Sequence, residues 1–247
     1  MSHAVSRLRT ARLAASTKPF LARGSGGGRC AGCRLAVSHC VCALRPPMQA
    51  QAGVCLIMGD IEALKPSNTG WLVADLVVNT FAFGWSRTAV DPALLALLID
   101  PQWQPYLVFP GEYVPPQRVV TDLLRPGGAE AQGEGRRPLF VMLDGTWSEA
   151  RKMFRKSPYL DRLPVLSLNP GQLSNYRLRR SSREDQFCTA EVAALCLDMA
   201  GEPQAGDALS AWLDVFSAHY LSAKRNLPLD RTSEAHQRLQ RLAAIPG

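Results

Sequence analysis

Phe140-Val141-Met142-Leu143-Asp144-Gly145-Thr146-Trp147, continuing as Ser148-Glu149-Ala150-Arg151-Lys152-Met153-Phe154-Arg155-Lys156, is the stretch on which the fold turns. Four apolar residues in a row suit a strand buried on both faces. They end in one carboxylate and a turn. Ser148–Lys156 then has a helical pattern, and Thr146 and Ser148 are both capping residue types. Ligands of open α/β sheets bind beyond the carboxyl ends of strands, and Asp144 stands at such an end. A capping role for Asp144 and a core role for Trp147 are the competing readings at this point.

The same alternation extends outward in both directions. Val54–Met58, Thr80–Phe83, Tyr106–Phe109 and Val165–Leu168 are further short apolar runs of strand type. Trp71–Val78, Pro92–Ile99 and Thr189–Met199 read as helices, and Asp207–Tyr220 as a final amphipathic helix. Strands and helices in alternation predict an α/β fold, a mostly parallel sheet with flanking helices. Arg125–Arg137 is Gly-rich and polar, and reads as a surface loop.

At 47% hydrophobic and 20% charged, the 247 residues have the composition of an ordinary globular protein with a sizeable core. No apolar run is long enough to span a bilayer, and no compact apolar stretch marks a secretory signal. The expected setting is therefore cytoplasmic, with no membrane partner. The formal net charge of +7 is unevenly placed. Residues 1–50 hold Arg7, Arg9, Arg12, Lys18, Arg23, Arg29, Arg34 and Arg45, and the first acid is Asp60. Such a local field attracts polyanions, phosphate backbones above all. A solvated tail and an organellar transit peptide share that composition.

Four units are expected. Residues 1–29 form a basic arm, with Val5 to Leu21 of helical character and a flexible Gly24-Ser25-Gly26-Gly27-Gly28 hinge. Residues 30–50 form a four-cysteine module closed by Arg45-Pro46-Pro47. Residues 51–225 form the α/β domain, and 226–247 a tail.

Cys30-x2-Cys33-x6-Cys40-x-Cys42 is the clearest metal signature. Four thiolates complete the shell of one tetrahedral zinc ion, and so short a segment needs the metal to fold. A filled shell has no open position, so this site is structural rather than catalytic. The alternative is a set of free thiols. Cys55, Cys188 and Cys196 fall in apolar stretches and read as buried free thiols.

Weaker signals gather at strand ends and helix starts. Lys65-Pro66-Ser67-Asn68-Thr69-Gly70 precedes a helix and can cap it or hold an anion. Phe109-Pro110-Gly111-Glu112 is a turn after a strand, and Cys188-Thr189-Ala190-Glu191 opens a helix with a carboxylate in its first turn. Arg151, Lys152, Arg155 and Lys156 crowd one helix. Tyr176-Arg177-Leu178-Arg179-Arg180 is a basic patch with an aromatic. Both suit phosphate contact, and both are also consistent with a solvated surface. No dinucleotide fingerprint, P-loop or nucleophile elbow is present.

Asp144-Gly-Thr-Trp147 matches the Asp-x-Thr-Trp signature of the DTW-domain family. LDGTWSEARKMFRKSPYL, the cysteine cluster, LKPSNTGWLVADL, QPYLVFPGEYV, YRLR and CTAEVA together resemble its bacterial tRNA-uridine aminocarboxypropyltransferases. Some relatives carry a histidine before Glu62, where this chain has Met58-Gly59-Asp60-Ile61. The resemblance implies a SPOUT-like fold with a trefoil knot, S-adenosylmethionine as group donor, and tRNA as substrate. It implies no protein partner. The product would be 3-(3-amino-3-carboxypropyl)uridine, with methylthioadenosine leaving. Carried onto this chain, it makes Asp144, Thr146 and Trp147 the catalytic set, with Asp144 as the base for uridine N3. Phe109, Pro110, Gly111, Glu112, Asp144, Cys188, Thr189 and Glu191 would bind the donor. Arg151, Lys152, Arg155, Lys156, Tyr176, Arg177 and Arg179 would face RNA. A SPOUT-type methyltransferase and a non-catalytic zinc-containing RNA-binding protein are the competing functions.

Overall fold

In the computed structural model, the strand that decides the fold is Arg137–Asp144, here β5. The structure describes residues 2–20, 28–123, 135–168 and 187–243. The glycine hinge up to residue 27, most of the 125–137 loop, and Tyr176, Arg177 and Arg179 lie outside the described residues.

β5 has neighbours on both sides, which is why it reads as a continuous apolar run. Among the described residues the other strands are β1 (Gly53–Met58), β2 (Thr80–Gly84), β3 (Trp103–Val108), β4 (Val119–Val120) and β6 (Val165–Leu166). They form one six-stranded sheet in the order β2-β1-β5-β3-β6-β4, and every pairing is parallel. The register sets Met58 opposite both Asp144 and Gly84, and Leu107 opposite both Val141 and Val165. β6 is two residues shorter than the apolar run suggested.

Side chains alternate across a strand, so the sheet feeds two cores. Val54, Leu56, Met58, Tyr106, Phe140 and Met142 face one way, and Cys55, Ile57, Leu107, Leu139 and Val141 the other. The first core is covered by α1 (Ala4–Ala14), α2 (Gly70–Leu76), α5 (Thr189–Met199), α6 (Pro203–Arg225) and α7 (Glu234–Ala243). The second is covered by α3 (Pro92–Ile99) and α4 (Trp147–Arg155). No described helix is long and apolar enough to cross a membrane.

Both ends of the chain contribute helices to the first core. α1 is shorter than its sequence pattern. It buries Val5, and Arg9 Nη1 donates to the Leu64 carbonyl at 2.7 Å while Arg12 pairs with Asp60. Residues Glu234–Ala243 are helical; His236 and Leu239 are buried, and His236 Nε2 lies 2.9 Å from His219 Nε2 on α6. α5 and α6 cross closely at Gly206, where an added Cβ would lie 2.6 Å from the Ala194 carbonyl oxygen.

Candidate active site and metal cluster

The strands β3, β5 and β6 end along one edge of the sheet, and a cavity of about 720 Å³ opens there. Phe109, Pro110, Gly111 and Glu112 wall it on one side. Gly145, Thr146 and Trp147 form the second wall, and Ser167, Phe187, Thr189 and Val192 close the third. Gly111 is packed hard against its neighbour: its N–H donates to Ser167 Oγ at 3.0 Å, and a Cβ there would come equally close to that oxygen.

Asp144 sits behind this cavity and is not among the described residues that line it. It is 4% exposed, and both carboxylate oxygens are engaged. Asn68 Nδ2 donates to Oδ2 at 2.8 Å, and Thr189 Oγ1 donates to Oδ1 at 2.6 Å. A Cβ at Gly70 would lie 2.7 Å from Oδ2, so glycine there leaves room for the carboxylate. Burial pushes the Asp144 carboxyl above the usual range, since desolvation penalises the charged form. The Asn68 and Thr189 hydrogen bonds pull it down, and the nearby Glu62 pushes it up. The cap of α4 is therefore not Asp144 but Thr146. Thr146 Oγ1 accepts from the Glu149 N–H at 3.4 Å, and Glu149 Oε2 accepts the Thr146 N–H at 2.8 Å, a reciprocal box.

Trp147 is the outermost ring of a column. It stacks on Phe109 at 5.5 Å, and Phe109 stacks on Phe154 at 4.5 Å. Trp147 is 40% exposed and meets the edge of Tyr113 at 5.6 Å. Arg151 lies over the Tyr113 ring at 5.3 Å and Lys152 over Trp85 at 5.5 Å. Arg155 and Lys156 are exposed one turn further on. The four basic residues thus follow the helix that leaves the cavity.

Of the residues named around 188–191, Thr189 reaches the cavity. Glu191 Oε2 accepts the Cys188 N–H at 2.7 Å and so serves the start of α5. Cys188 is half-buried, and burial raises its thiol to about 11, while Cys55 and Cys196 are fully buried.

The four clustered cysteines bring their Sγ atoms within 4.8 Å of one another. Cys30 and Cys42 are 3.6 Å apart, Cys33 and Cys40 3.7 Å, and Cys30 and Cys40 3.5 Å. Tetrahedral thiolates about 2.3 Å from a zinc ion lie roughly 3.8 Å apart, so the residues fit such a metal. Gly32 is required by closeness, because a Cβ would lie 2.8 Å from Cys42 Sγ. The cluster is tied to the loop that carries Asn68. Trp71 Nε1 donates to the Gly32 carbonyl at 3.1 Å, and the buried Arg34 lies 4.1 Å over the Trp71 ring. Arg34 Nη1 donates to the carbonyls of Lys65 and Asn68 at 3.0 and 3.2 Å.

Asn68, one of the capping residue types before α2, accepts the Trp71 N–H on its Oδ1 at 3.1 Å, while the N-cap position itself falls on Thr69. The role of Asn68 toward Asp144 was not foreseeable, because the two are 76 residues apart. Glu62, Tyr113, Phe154 and Trp85 also escaped notice. Tyr113 lies in QPYLVFPGEYV and Phe154 in LDGTWSEARKMFRKSPYL, and those places in motifs were the available signals.

The family model described as the DTW domain matches residues 27–221, which include every site residue above. Among curated proteins, tRNA-uridine aminocarboxypropyltransferase 2 of Drosophila melanogaster is 39% identical over 57 residues, 23% of this chain and 23% of that protein. No solved structure matches the chain. With a cavity bounded by Gly145, Thr146 and Trp147 at the carboxyl edge of its sheet, Asp144 behind it, and a family match across most of its length, this chain belongs to the DTW domain family.

Proposed function

We propose that the chain transfers the 3-amino-3-carboxypropyl group of S-adenosylmethionine to N3 of a uridine in tRNA. The observation that carries this reading is the convergence of Thr146, Trp147, Phe109–Glu112 and Thr189 on one cavity, with Asp144 directly behind it. The cavity is of the size that small-molecule sites have, and its walls are largely apolar with a few convergent polar groups. The relative's name says what that protein transfers, and family membership brings the same chemistry to this site as a proposal. The reading extends to a SPOUT-like knotted arrangement of the parallel sheet. It also extends to zinc as the ion of the Cys30, Cys33, Cys40 and Cys42 cluster.

The chemistry is substitution at carbon. Uridine N3 bonds to the γ-carbon of the donor's aminocarboxypropyl arm, and the bond from that carbon to sulfur breaks. Its electron pair stays on sulfur, so the sulfonium becomes neutral methylthioadenosine. The N3 proton must leave as attack proceeds, and Asp144 is the base on which the proton transfer ends. Methyl transfer is the competing outcome at this sulfonium, because one of its three carbon substituents is a methyl group. Choosing the longer arm is a matter of which carbon the walls hold toward the nucleophile. Trp147 offers a ring face on which a base can stack, and Arg151, Lys152, Arg155 and Lys156 offer charge for the backbone.

The test is incubation of the protein with S-adenosylmethionine and unmodified tRNA, followed by nucleoside mass spectrometry. The expected products are aminocarboxypropyluridine and methylthioadenosine. A methylated nucleoside with S-adenosylhomocysteine would replace this reading with a methyltransferase. RNA binding with no product would leave a binding protein.

A further inference from the structure

The geometry points to Thr189 as a proton relay, its hydroxyl receiving the proton of the nucleophile held in the cavity while passing its own proton to Asp144. This inference rests on the reading of the cavity as a group-transfer site.

Asp144 has the chemistry of a proton acceptor but not the position. Its Oδ2 is held by Asn68, and its Oδ1 by Thr189. Asn68 cannot be reversed to free that oxygen, because its own Oδ1 accepts the Trp71 N–H and its Nδ2 also faces Glu62 Oε2 at 3.4 Å. The network thus assigns the amide orientation. Among the described residues, Thr189 both lines the cavity and hydrogen-bonds Asp144.

A threonine hydroxyl has one hydrogen and two acceptor lone pairs. Opposite a carboxylate its hydrogen goes to Oδ1, at 2.6 Å. Among the described residues no other group bonds this oxygen, which leaves its lone pairs for an N–H donor in the cavity. The chain N–H, Thr189 Oγ1–H, Asp144 Oδ1 therefore has one polarity throughout. Among the described residues, the start of α5 is closed without Thr189. The first turn of α5 is closed by Glu191 on the Cys188 N–H, and the Ala190 N–H points to Thr69 Oγ1 at 3.4 Å.

Atoms and electrons balance without an alkoxide. As the nucleophile bonds to carbon and the carbon–sulfur pair moves to sulfur, the N–H bond breaks and a new Thr189 O–H forms. The original Thr189 O–H breaks and an Asp144 O–H forms. Threonine ends as it began, and Asp144 returns its proton to solvent after product leaves.

A purely structural tie between α5 and β5 would show the same hydrogen bond, so the test must separate the two. Full-length wild type, Thr189→Ser, Thr189→Val, Asp144→Asn and the Thr189→Val/Asp144→Asn double variant are compared under single turnover with tRNA. Donor affinity by calorimetry and thermal unfolding are measured alongside. The relay predicts that Thr189→Val slows turnover by about 100-fold or more, within the range for general acid–base groups. It predicts that Thr189→Ser stays within roughly tenfold of wild type, and that donor affinity changes little. The double variant should be no slower than Asp144→Asn alone, because groups acting as a unit are not additive. Turnover by Thr189→Val within about threefold of wild type overturns the relay. So does a folded Thr189→Ser as slow as Thr189→Val. If the valine variant unfolds, Thr189→Ala takes its place beside the serine variant under the same criteria. Methyl transfer by wild type with this Thr189 pattern would uphold the relay and overturn aminocarboxypropyl transfer. No transfer of either group would overturn both.

Discussion

Asn68 Nδ2 donates to Asp144 Oδ2 at 2.8 Å, with Glu62 Oε2 3.4 Å from the same nitrogen. One amide thus stands between two buried carboxylates, and Lys65 pairs with Glu62 at the outer end. The Asn68 hydrogen bond lowers the Asp144 carboxyl and so works against the burial that raises it.

Asn68→Ala should move the acid limb of the reaction upward. The Asn68 hydrogen bond lowers the Asp144 carboxyl, so its loss raises it further. The variant also strips the Trp71 N–H of its acceptor. A loss of about 1–3 kcal/mol is expected for leaving buried polar groups unpaired. Denaturant unfolding and a pH profile of kcat/KM check the two effects separately.

Asp144→Asn should reduce turnover by about 100-fold or more while donor affinity is kept. Only the ionised carboxylate accepts a proton, and burial raises its folded-state value. Wild-type kcat/KM should therefore rise with pH through a value above the ordinary aspartate range. The residual activity of the variant should lack that limb. A wild-type limb at the usual aspartate position would remove Asp144 from the role of acceptor.

Freshly purified protein should contain one zinc per chain, and Cys33→Ser should lose it. Because Arg34 and Trp71 tie the cluster to Asn68, metal loss should also lower the unfolding temperature and slow turnover. Elemental analysis with and without chelator, beside thermal unfolding, measures this. Gly32→Ala should behave like a partial metal loss, since its Cβ would press on Cys42 Sγ.

Arg155→Ala and Lys156→Ala should each weaken tRNA binding and flatten its salt dependence. One lost phosphate contact reduces the slope of log K against log salt by roughly 0.7–0.9. Point changes are preferable to trimming the basic N-terminus, because α1 buries Val5 and holds Leu64 through Arg9. Unchanged slopes for both variants would move the RNA surface away from α4.

Gly206→Ala should destabilise the fold by about 1–3 kcal/mol, the usual effect of overpacking a tight contact. The new Cβ would meet a backbone oxygen, Ala194 O, which cannot rotate away. Donor affinity in the folded fraction should be unaffected, as the contact lies between α5 and α6.

Much of this protein was legible along the chain. Strand runs such as Val54–Met58 and Phe140–Leu143, the Thr146 start of α4 and the Glu191 start of α5 are local. They depend on side-chain period and on which residues satisfy free N–H groups within one turn. The four cysteines are close enough in sequence for one metal shell, so their clustering needed little help from the rest of the fold. Helix Glu234–Ala243 was missed because its polar face dominates, and its apolar contacts, Leu239 among them, gain meaning only against α6.

What the chain alone determined is therefore the inventory: an α/β alternation, a carboxylate at a strand end, a cysteine cluster and a basic helix. Tertiary structure decided which of these touch. The strand order β2-β1-β5-β3-β6-β4 sets β5 beside both β1 and β3, and so brings Asn68, from the loop after β1, and the turn after β3 to the same edge. Asn68 and Thr189 meet Asp144 from 76 and 45 residues away, and Thr189 rather than Asp144 faces the cavity. The physical reason is range. Backbone preference and periodic burial act over a few residues, whereas strand order follows from how crossover helices cover both faces of the sheet at once.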